Sequence, residues 1–327
     1  MIDLRHLALL VAIDDEGSLT AAARAVGVSQ PAASQQLRTL ERRLGTAVAL
    51  RTPGGFRLTE AGRVLAGHAR QILDSASRAE SEIAAIAGLH GGTLRLVSFP
   101  SAAATILPRA FVSMREAHPD LGFTLREAET AEALAMLRRG ECDLAVIYEW
   151  RVDGTADDAP EDVPWTLEPG ELALTLVEEE VHLAIPRSHV RAAQARIPLP
   201  ELRDETWIAG CPVCRAHLLG ITRRWGFAPH LGFETDDYVA LLRLVGAGLG
   251  VALVTDLMLD AARPEDTVAL RPVSPVVTRV VKAVASEALL KVPGVRETLA
   301  ALAEAGATIA AAQRAQVTAQ RARVAAR

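Results

Sequence analysis

Lysine is almost missing from this chain and occurs only at 282 and 291. Cysteine is nearly as scarce. Cys142, Cys211 and Cys214 are too few and too unevenly placed for a secreted disulfide framework, and they suit a reducing compartment. No apolar run reaches membrane-spanning length, and MIDLRHLALLVAIDDEGS carries Asp3, Arg5 and His6 inside its apolar stretch, which argues against an export signal. A cytoplasmic protein with no membrane partner is expected. Catalytic signatures are also lacking: there is no G-x-S-x-G, H-E-x-x-H or Walker-type sequence, so the expectation is no enzyme, no catalytic residues and no cofactor. Gly246-Ala247-Gly248-Leu249-Gly250 follows a helix and precedes a strand, whereas a phosphate loop needs strand then helix.

What is present divides unevenly. With 327 residues, half of them hydrophobic, the chain is longer than one core usually grows, and two or more domains are expected. The net charge of -5 hides an asymmetry: residues 1 to 88 carry +1 and the remainder -6. Between Gly27 and Arg63, six arginines (38, 42, 43, 51, 57 and 63) face only Glu41 and Glu60. One short surface is basic on an otherwise acidic chain.

That surface has a helical logic. Leu4, Leu7, Leu10 and Val11 recur at helical spacing, and the helix should fail near Asp15-Glu16-Gly17. Ser18 can cap a second helix to Val26, with Gly27 at its stop, and Ser29 a third with Pro31 in its first turn. On the third helix Ala33, Leu37, Leu40 and Leu44 form one stripe, while Pro31, Ser34, Gln35, Arg38 and Arg42 point away. Glutamine can pair with adenine through its amide, serine with several base edges, and arginine with guanine or phosphate. An ordinary solvated amphipathic helix would carry the same residues. The following Arg51-Thr52-Pro53-Gly54-Gly55-Phe56-Arg57-Leu58 narrows the choice, because it reads as a tight two-stranded wing with arginines near phosphate or the minor groove.

Residues 4 to 62, with SLTAAARAVGVSQPAASQQLRTLERRLGT and RTPGGFRLTEAG, resemble the N-terminal domain of LysR-type transcriptional regulators. The resemblance implies that Gln30, Pro31, Ser34 and Gln35 sit at the groove of double-stranded promoter DNA, with Arg51 and Arg57 flanking it. Ser29, Arg38 and Arg42 complete the expected DNA-binding set. Two departures stand out: the family usually has an aromatic where Ala49 stands and often a basic residue where Gly54 stands. The first would loosen wing packing and the second would remove a phosphate contact.

Thr59 can cap a long helix to about Ala87, roughly 40 Å at 1.5 Å per residue. Val64, Ala69, Ile72, Ala76, Ala79, Ile83 and Ile86 approximate an apolar stripe along it. In the family two such helices pair, so a homodimer or homotetramer is implied, with RNA polymerase as a further partner. From Thr93 short apolar strands alternate with helices, the sign of an α/β architecture. Strands at 94–99, 122–127 and 143–148, with helices at 102–117 and 131–139, form one βαβαβ unit. Strands near 172–177 and 181–186 start a second, which continues through Trp207, a helix from Val213, a strand at 231–235 and Val251 to Val254. The return to the first unit is expected through 268–271 and 277–285.

The expected fold class is therefore α/β multidomain: an all-α winged helix-turn-helix domain (1–58), a linker and dimerisation helix (59–88), and a two-lobed effector-binding domain (92–303). The last resembles type 2 periplasmic binding proteins, with lobe 1 at 92–168 and 268–303 and lobe 2 at 169–267. A basic, alanine-rich tail (304–327) is expected to fray. A small-molecule effector should lie between the lobes at strand ends and helix N-termini. The candidates are Ser98, Phe99, Pro100 and Ser101, then Glu129 with Thr130, Gly210 with Cys211, and Thr235 with Asp236. Their hydroxyls and amides would favour a small carboxylate or other polar anion. Cys211-Pro212-Val213-Cys214 with His217 lacks a second ligand pair, so no metal site is expected. It leaves a redox- or metal-responsive regulator as the alternative, with the helix dipole lowering the pKa of the first thiol.

Overall fold

The computed structural model describes residues 2–52, 55–86, 92–152 and 165–325. The expected wing tip Pro53-Gly54, most of the break at 88–92, and the bulk of the acidic 151–170 passage lie outside the described residues. The chain divides into two compact units, Met1–Gly92 with Met136–Cys142, and Thr93–Ala135 with Asp143–Arg327.

In the first unit, helix α1 (Leu4–Glu16) starts where Asp3 accepts from the Arg5 amide and stops at Gly17, whose φ of 61° suits a residue without Cβ. Helix α2 (Leu19–Ala25) is capped by Ser18 and α3 (Gln30–Leu44) by Ser29, which accept from the Ala21 and Ala32 amides at 3.5 and 3.4 Å. Leu9, Leu10, Ile13, Ala23, Ala33, Leu37 and Leu40 close one core with Val48 and Leu58. Strands β1 (Ala49–Thr52) and β2 (Gly55–Leu58) form the antiparallel wing. Helix α4 (Glu60–Ile86) follows at once, with Thr59 Oγ1 accepting from the Gly62 amide at 3.0 Å. Gly62 lets α4 touch the wing: a Cβ there would lie 2.0 Å from the Val48 carbonyl oxygen. The expected apolar stripe of α4 is split. Ala66 and Ala69 are buried, while Val64, Ile72, Ala79 and Ile83 are exposed.

In the second unit, with Gly92 of β3 and the Met136–Arg139 end of α6 counted in the first, β3 (Gly92–Ser98), α5 (Pro100–Ala117), β4 (Leu121–Glu127), α6 (Thr130–Arg139) and β5 (Leu144–Val152) follow the expected alternation. Next comes β6 (Glu171–Pro186), which is one strand of 16 residues where two were expected. After it come β7 (Ile197–Pro198), β8 (Thr206–Ala209), α7 (Pro212–Arg224), β9 (His230–Glu234), α8 (Tyr238–Gly246), β10 (Ala252–Thr255) and α9 (Asp256–Ala261). The chain ends with β11 (Val268–Ser274), β12 (Val277–Ser286) and α10 (Pro293–Ala325). The large sheet has the order β4-β3-β5-β12-β6-β11-β7, with β10 also on β6, and β8 pairs with β9 in a small parallel sheet.

The length of β6 corrects the lobe boundaries. Its first half pairs with β12 and its second half with β10 and β11, so one strand belongs to both lobes. Because β11 pairs with that second half and with β7, 268–274 stays in the second lobe, and β12 alone makes the return. The tail expectation also changes. Ala305 and Ile309 are buried, and a Cβ at Gly306 would meet the Leu176 carbonyl oxygen at 2.3 Å, so α10 packs on β6 past residue 304. Among the described residues no helix is long and apolar enough to cross a membrane.

Candidate functional site

The surface of α3 follows from its core. With Ala33, Leu37 and Leu40 buried, the 3.6-residue period turns Gln30, Pro31, Gln35, Arg38 and Arg42 outward. Ser34 is half-buried and bound by its neighbour one turn on, since Arg38 Nη1 donates to Ser34 Oγ at 2.8 Å. Arg42 lies along the helix, with Nη2 donating to Thr39 Oγ1 at 3.2 Å. Ser29 is exposed but its hydroxyl serves the cap. The acid nearest these arginines is occupied elsewhere: Glu41 Oε1 accepts from the Val48 and Ala49 amides at 3.0 and 3.4 Å. That bond ties α3 to the wing and leaves the cationic face uncompensated by Glu41.

The wing register separates the two arginines expected to act together. Arg51 pairs with Phe56 and Arg57 with Leu50. Paired residues share a face and sequence neighbours alternate, so Arg51 and Arg57 leave the ribbon on opposite faces. Both are exposed. Ala49 is buried opposite Leu58, and a small side chain fits there.

In the second unit a cavity of about 210 Å³ opens where the lobes meet. Among its lining residues are Pro100, Glu129, Gly210, Cys211 and Asp236, five of the ten expected effector residues. The other five are committed to the protein itself. Ser98 is buried and donates to the Phe99 carbonyl at 3.2 Å, and Phe99 packs edge-on against Tyr148 with ring centres 4.7 Å apart. Ser101 Oγ accepts from Arg279 at 2.9 Å. Thr130 Oγ1 exchanges hydrogen bonds with the backbone of Tyr148, and Thr235 Oγ1 accepts from the Asp237 amide, which belongs to the true cap of α8. The hydroxyls foreseen as an anion seat are thus used internally.

Arg279 of β12 and Glu179 of β6 were not foreseen. Their side chains are 4% and 0% exposed and meet at 2.5 Å. Glu179 also accepts from the Leu257 amide at the start of α9 at 2.7 Å, and the Arg279 guanidinium lies 4.9 Å from the Phe99 ring and 5.1 Å from the Tyr148 ring. Burial works against the Arg279 cation, but Glu179 outweighs it and holds the guanidinium above its ordinary pKa. The sequence did contain a signal. Glu179 is in phase with the buried Val177 and Val181, and Arg279 with Val277 and Val281, so both charges occupy inward positions of a strand.

Around this pair Tyr148 donates to Glu129 Oε2 at 2.7 Å, and burial pushes the Tyr148 hydroxyl above its ordinary range. Trp150 Nε1 is buried on the cavity wall without an acceptor among the described residues. Cys211 caps α7, and its Sγ lies 3.0 Å from Cys214 Sγ and 3.3 Å from Glu129 Oε1. The expectation that the first thiol is the acidic one is reversed. Donation to Cys214, then burial and the Glu129 charge, push Cys211 up, while the same hydrogen bond holds Cys214 below the usual thiol range against its own burial. Among the described residues no cluster of three or more His, Cys, Asp or Glu side chains is arranged to hold a metal ion.

An outward-facing polar helix on a winged domain, together with a two-lobed ligand cavity, defines a ligand-responsive DNA-binding protein. Residues 4–63 match the model of the bacterial regulatory helix-turn-helix protein, lysR family, and residues 87–307 that of the LysR substrate binding domain. Over 266 residues, 77% of this chain and 82% of the other, the sequence is 30% identical to the HTH-type transcriptional regulator YnfL of Escherichia coli K12. The fold is similar to a full-length OxyR variant from Pseudomonas aeruginosa, with TM-score 0.66 at 20% identity over 94% of this chain and 95% of that one. It is also similar to full-length CbnR in complex with its target DNA, with TM-score 0.63 at 22% identity over 92% and 99%. The chain belongs to the LysR family of DNA-binding transcriptional regulators, with an effector-binding C-terminal domain.

Proposed function

We propose that this regulator binds a promoter dyad as a cytoplasmic homodimer or homotetramer, reading bases with Gln30, Pro31, Ser34 and Gln35 and phosphates with Arg38, Arg42, Arg51 and Arg57. The carrying observation is the two-sided α3, whose apolar stripe is buried while its amides and guanidiniums face outward. The exposed Val64, Ile72, Ala79 and Ile83 on α4 supply the seam that a second copy covers, which sets the spacing of two recognition helices. In this reading residues 1–58 bind DNA, 59–88 dimerise, and the cleft binds rather than transforms its ligand.

The effector reading rests on the cavity. Arg279 is already neutralised by Glu179, and Glu129 adds a further carboxylate, so the wall offers little to an anion. Ile208, Leu218, Leu241 and Met258 favour a small, mainly apolar molecule, and Trp150 Nε1 asks for one hydrogen-bond acceptor on it. Cross-linking the regulator to DNA in its own cell and sequencing the bound fragments tests the first claim. Enrichment over a dyad is expected, and the adjoining genes then define which metabolites to titrate into the cleft. No enrichment across growth conditions would overturn the reading of α3.

A further inference from the structure

We infer that the effector is a small organic cation, an amine with a hydrogen-bond acceptor near its nitrogen, held between Glu129 of the first lobe and Asp236 of the second. The inference rests on the cleft reading above and adds to it the charge of the ligand and the way that charge closes the lobes.

The ionised groups that border the cavity set its sign. Its carboxylates are Glu129 and Asp236 and its guanidinium is Arg279. Arg279 is already matched by Glu179 at 2.5 Å and lies against the Phe99 and Tyr148 rings. Glu129 has neutral partners: the Tyr148 hydroxyl donates to Oε2 at 2.7 Å and the Cys211 thiol to Oε1 at 3.3 Å. Asp236 is exposed and makes no side-chain hydrogen bond or ion pair among the described residues, whereas the adjacent Asp237 commits its carboxylate to the Val239 and Ala240 amides. Two carboxylates therefore border the cavity without a cation of their own. Beside Ile208, Leu218, Leu241 and Met258 that charge is less screened than in water, so it attracts a cation more strongly.

Trp150 specifies more than charge. It borders the cavity from β5, it is 9% exposed, and its Nε1–H has no acceptor among the described residues. A buried donor is stable only with a partner, and an oxygen on the ligand supplies one. A bare metal ion offers no such acceptor, and among the described residues no cluster of three or more His, Cys, Asp or Glu side chains is arranged to hold one. An amine that carries a hydroxyl, ether or carbonyl meets both demands. Its ammonium has three N–H donors, enough for both carboxylates. The cavity of about 210 Å³ is smaller than the pockets of about 300–1,000 Å³ that take drug-sized ligands, so the amine is small.

The same placement gives the ligand a way to act. Glu129 stands between β4 and α6 in the first lobe, and Asp236 between β9 and α8 in the second. Two negative charges on opposite lobes repel each other. An ammonium between them reverses the sign of the force and draws the lobes together, so binding favours the closed arrangement.

Two matched sets of probes test the charge on the full-length protein. Phenylethanolamine, styrene glycol and mandelate are close in shape, as are isopropanolamine, propylene glycol and lactate. Within each set the terminal group changes from ammonium to hydroxyl to carboxylate. Calorimetric titration should rank the amine first in at least one set, about tenfold or more above its diol, with the acid weakest. Glu129→Gln and Asp236→Asn should each reduce the ratio of amine to diol affinity by about fivefold or more. Glu129 also holds Tyr148 and Cys211, so the exposed Asp236→Asn keeps the test independent of folding. Trp150→Phe should erase the preference for phenylethanolamine over phenethylamine, which lacks the hydroxyl. The binding amine should also change the affinity of the regulator for its dyad by about fivefold or more. A diol or acid that binds as well as its amine, or an amine preference untouched by both carboxylate substitutions, would overturn the inference and leave the cleft reading standing. Binding of none of the six probes at about 10 mM would overturn both. A missing dyad footprint would sink only the reading of α3, because the titrations need no DNA.

Discussion

The two units carry their functional residues in opposite ways. In the first, the side chains of interest stand outside a core that forms without them: Gln30, Gln35 and Arg38 are exposed while Ala33, Leu37 and Leu40 hold α3. In the second, the site is part of the core, and Arg279, Glu179 and Tyr148 are buried in the same sheet that joins the lobes. An exposed interface separates recognition from stability. A buried one couples them, because a charge taken from water must be matched by the fold before any ligand arrives.

The sharpest test of that contrast lies in the buried pair. Arg279→Ala leaves Glu179 unpaired and should cost about 3–5 kcal/mol in denaturant unfolding of the full chain. A loss under about 1 kcal/mol would mean that the cleft is no more integral to the core than the DNA surface is. On the other side, Gln30→Ala should remove about 1–3 kcal/mol of discrimination at one base pair while changing stability by less than about 0.5 kcal/mol. Binding-site selection beside thermal unfolding reads both, and an unchanged preference would remove Gln30 from the groove.

A smaller effect concerns the wing. Each lost phosphate contact flattens the salt dependence of binding by about one unit of slope. Since Arg51 and Arg57 leave the ribbon on opposite faces, Arg51→Ala and Arg57→Ala should differ, with one of them changing the slope and the other leaving it near that of the wild type. Equal slopes would mean that DNA wraps both faces.

The smallest is a pH effect in the second unit. His182 Nε2 meets Asp256 Oδ1 at 2.9 Å. Burial disfavours the imidazolium, but the Asp256 hydrogen bond and charge outweigh it and raise the pKa above 6.5. The folded state therefore holds the proton more tightly than the unfolded one, so this stabilisation is complete below about pH 6.5 and is lost as pH rises through the folded value. Melting temperatures measured from about pH 6 to pH 9 should fall less steeply in Asp256→Asn than in the wild type. An identical slope would mean that the pair carries no such linkage.

Most of the first unit was legible because its signals are local. Ser18 and Ser29 cap within three residues, Gly17 stops α1 at a left-handed turn, and the stripe of α3 lies within four turns. The cleft was legible only in part. Pro100, Glu129, Gly210, Cys211 and Asp236 were found because helices begin beside them. Arg279 and Glu179 were missed because Glu179 is the middle of the run Glu178-Glu179-Glu180, which reads as a solvated charge cluster, because Arg279 is a single charge among valines, and because their 100-residue separation is closed only by the β6 to β12 pairing. The bridging length of β6 was missed because periodicity reports which face a residue takes and is silent about which neighbour its backbone joins.

By itself, then, the sequence determined the helix-turn-helix, the wing, the face that α3 turns outward, and the alternation of strands and helices that follows. These depend on capping, turns and period, which act over a few residues. Only the tertiary structure decided that Arg51 and Arg57 oppose each other, that Glu41 is tied to the wing, that the serines expected to hold an anion are already bonded, and that the Cys211 thiol meets Glu129 across the cleft. Apart from the Glu41 and Ser98 bonds, which reach seven residues and one residue along the chain, these depend on strand register or on pairing between distant segments, where the chain's own order imposes no distance.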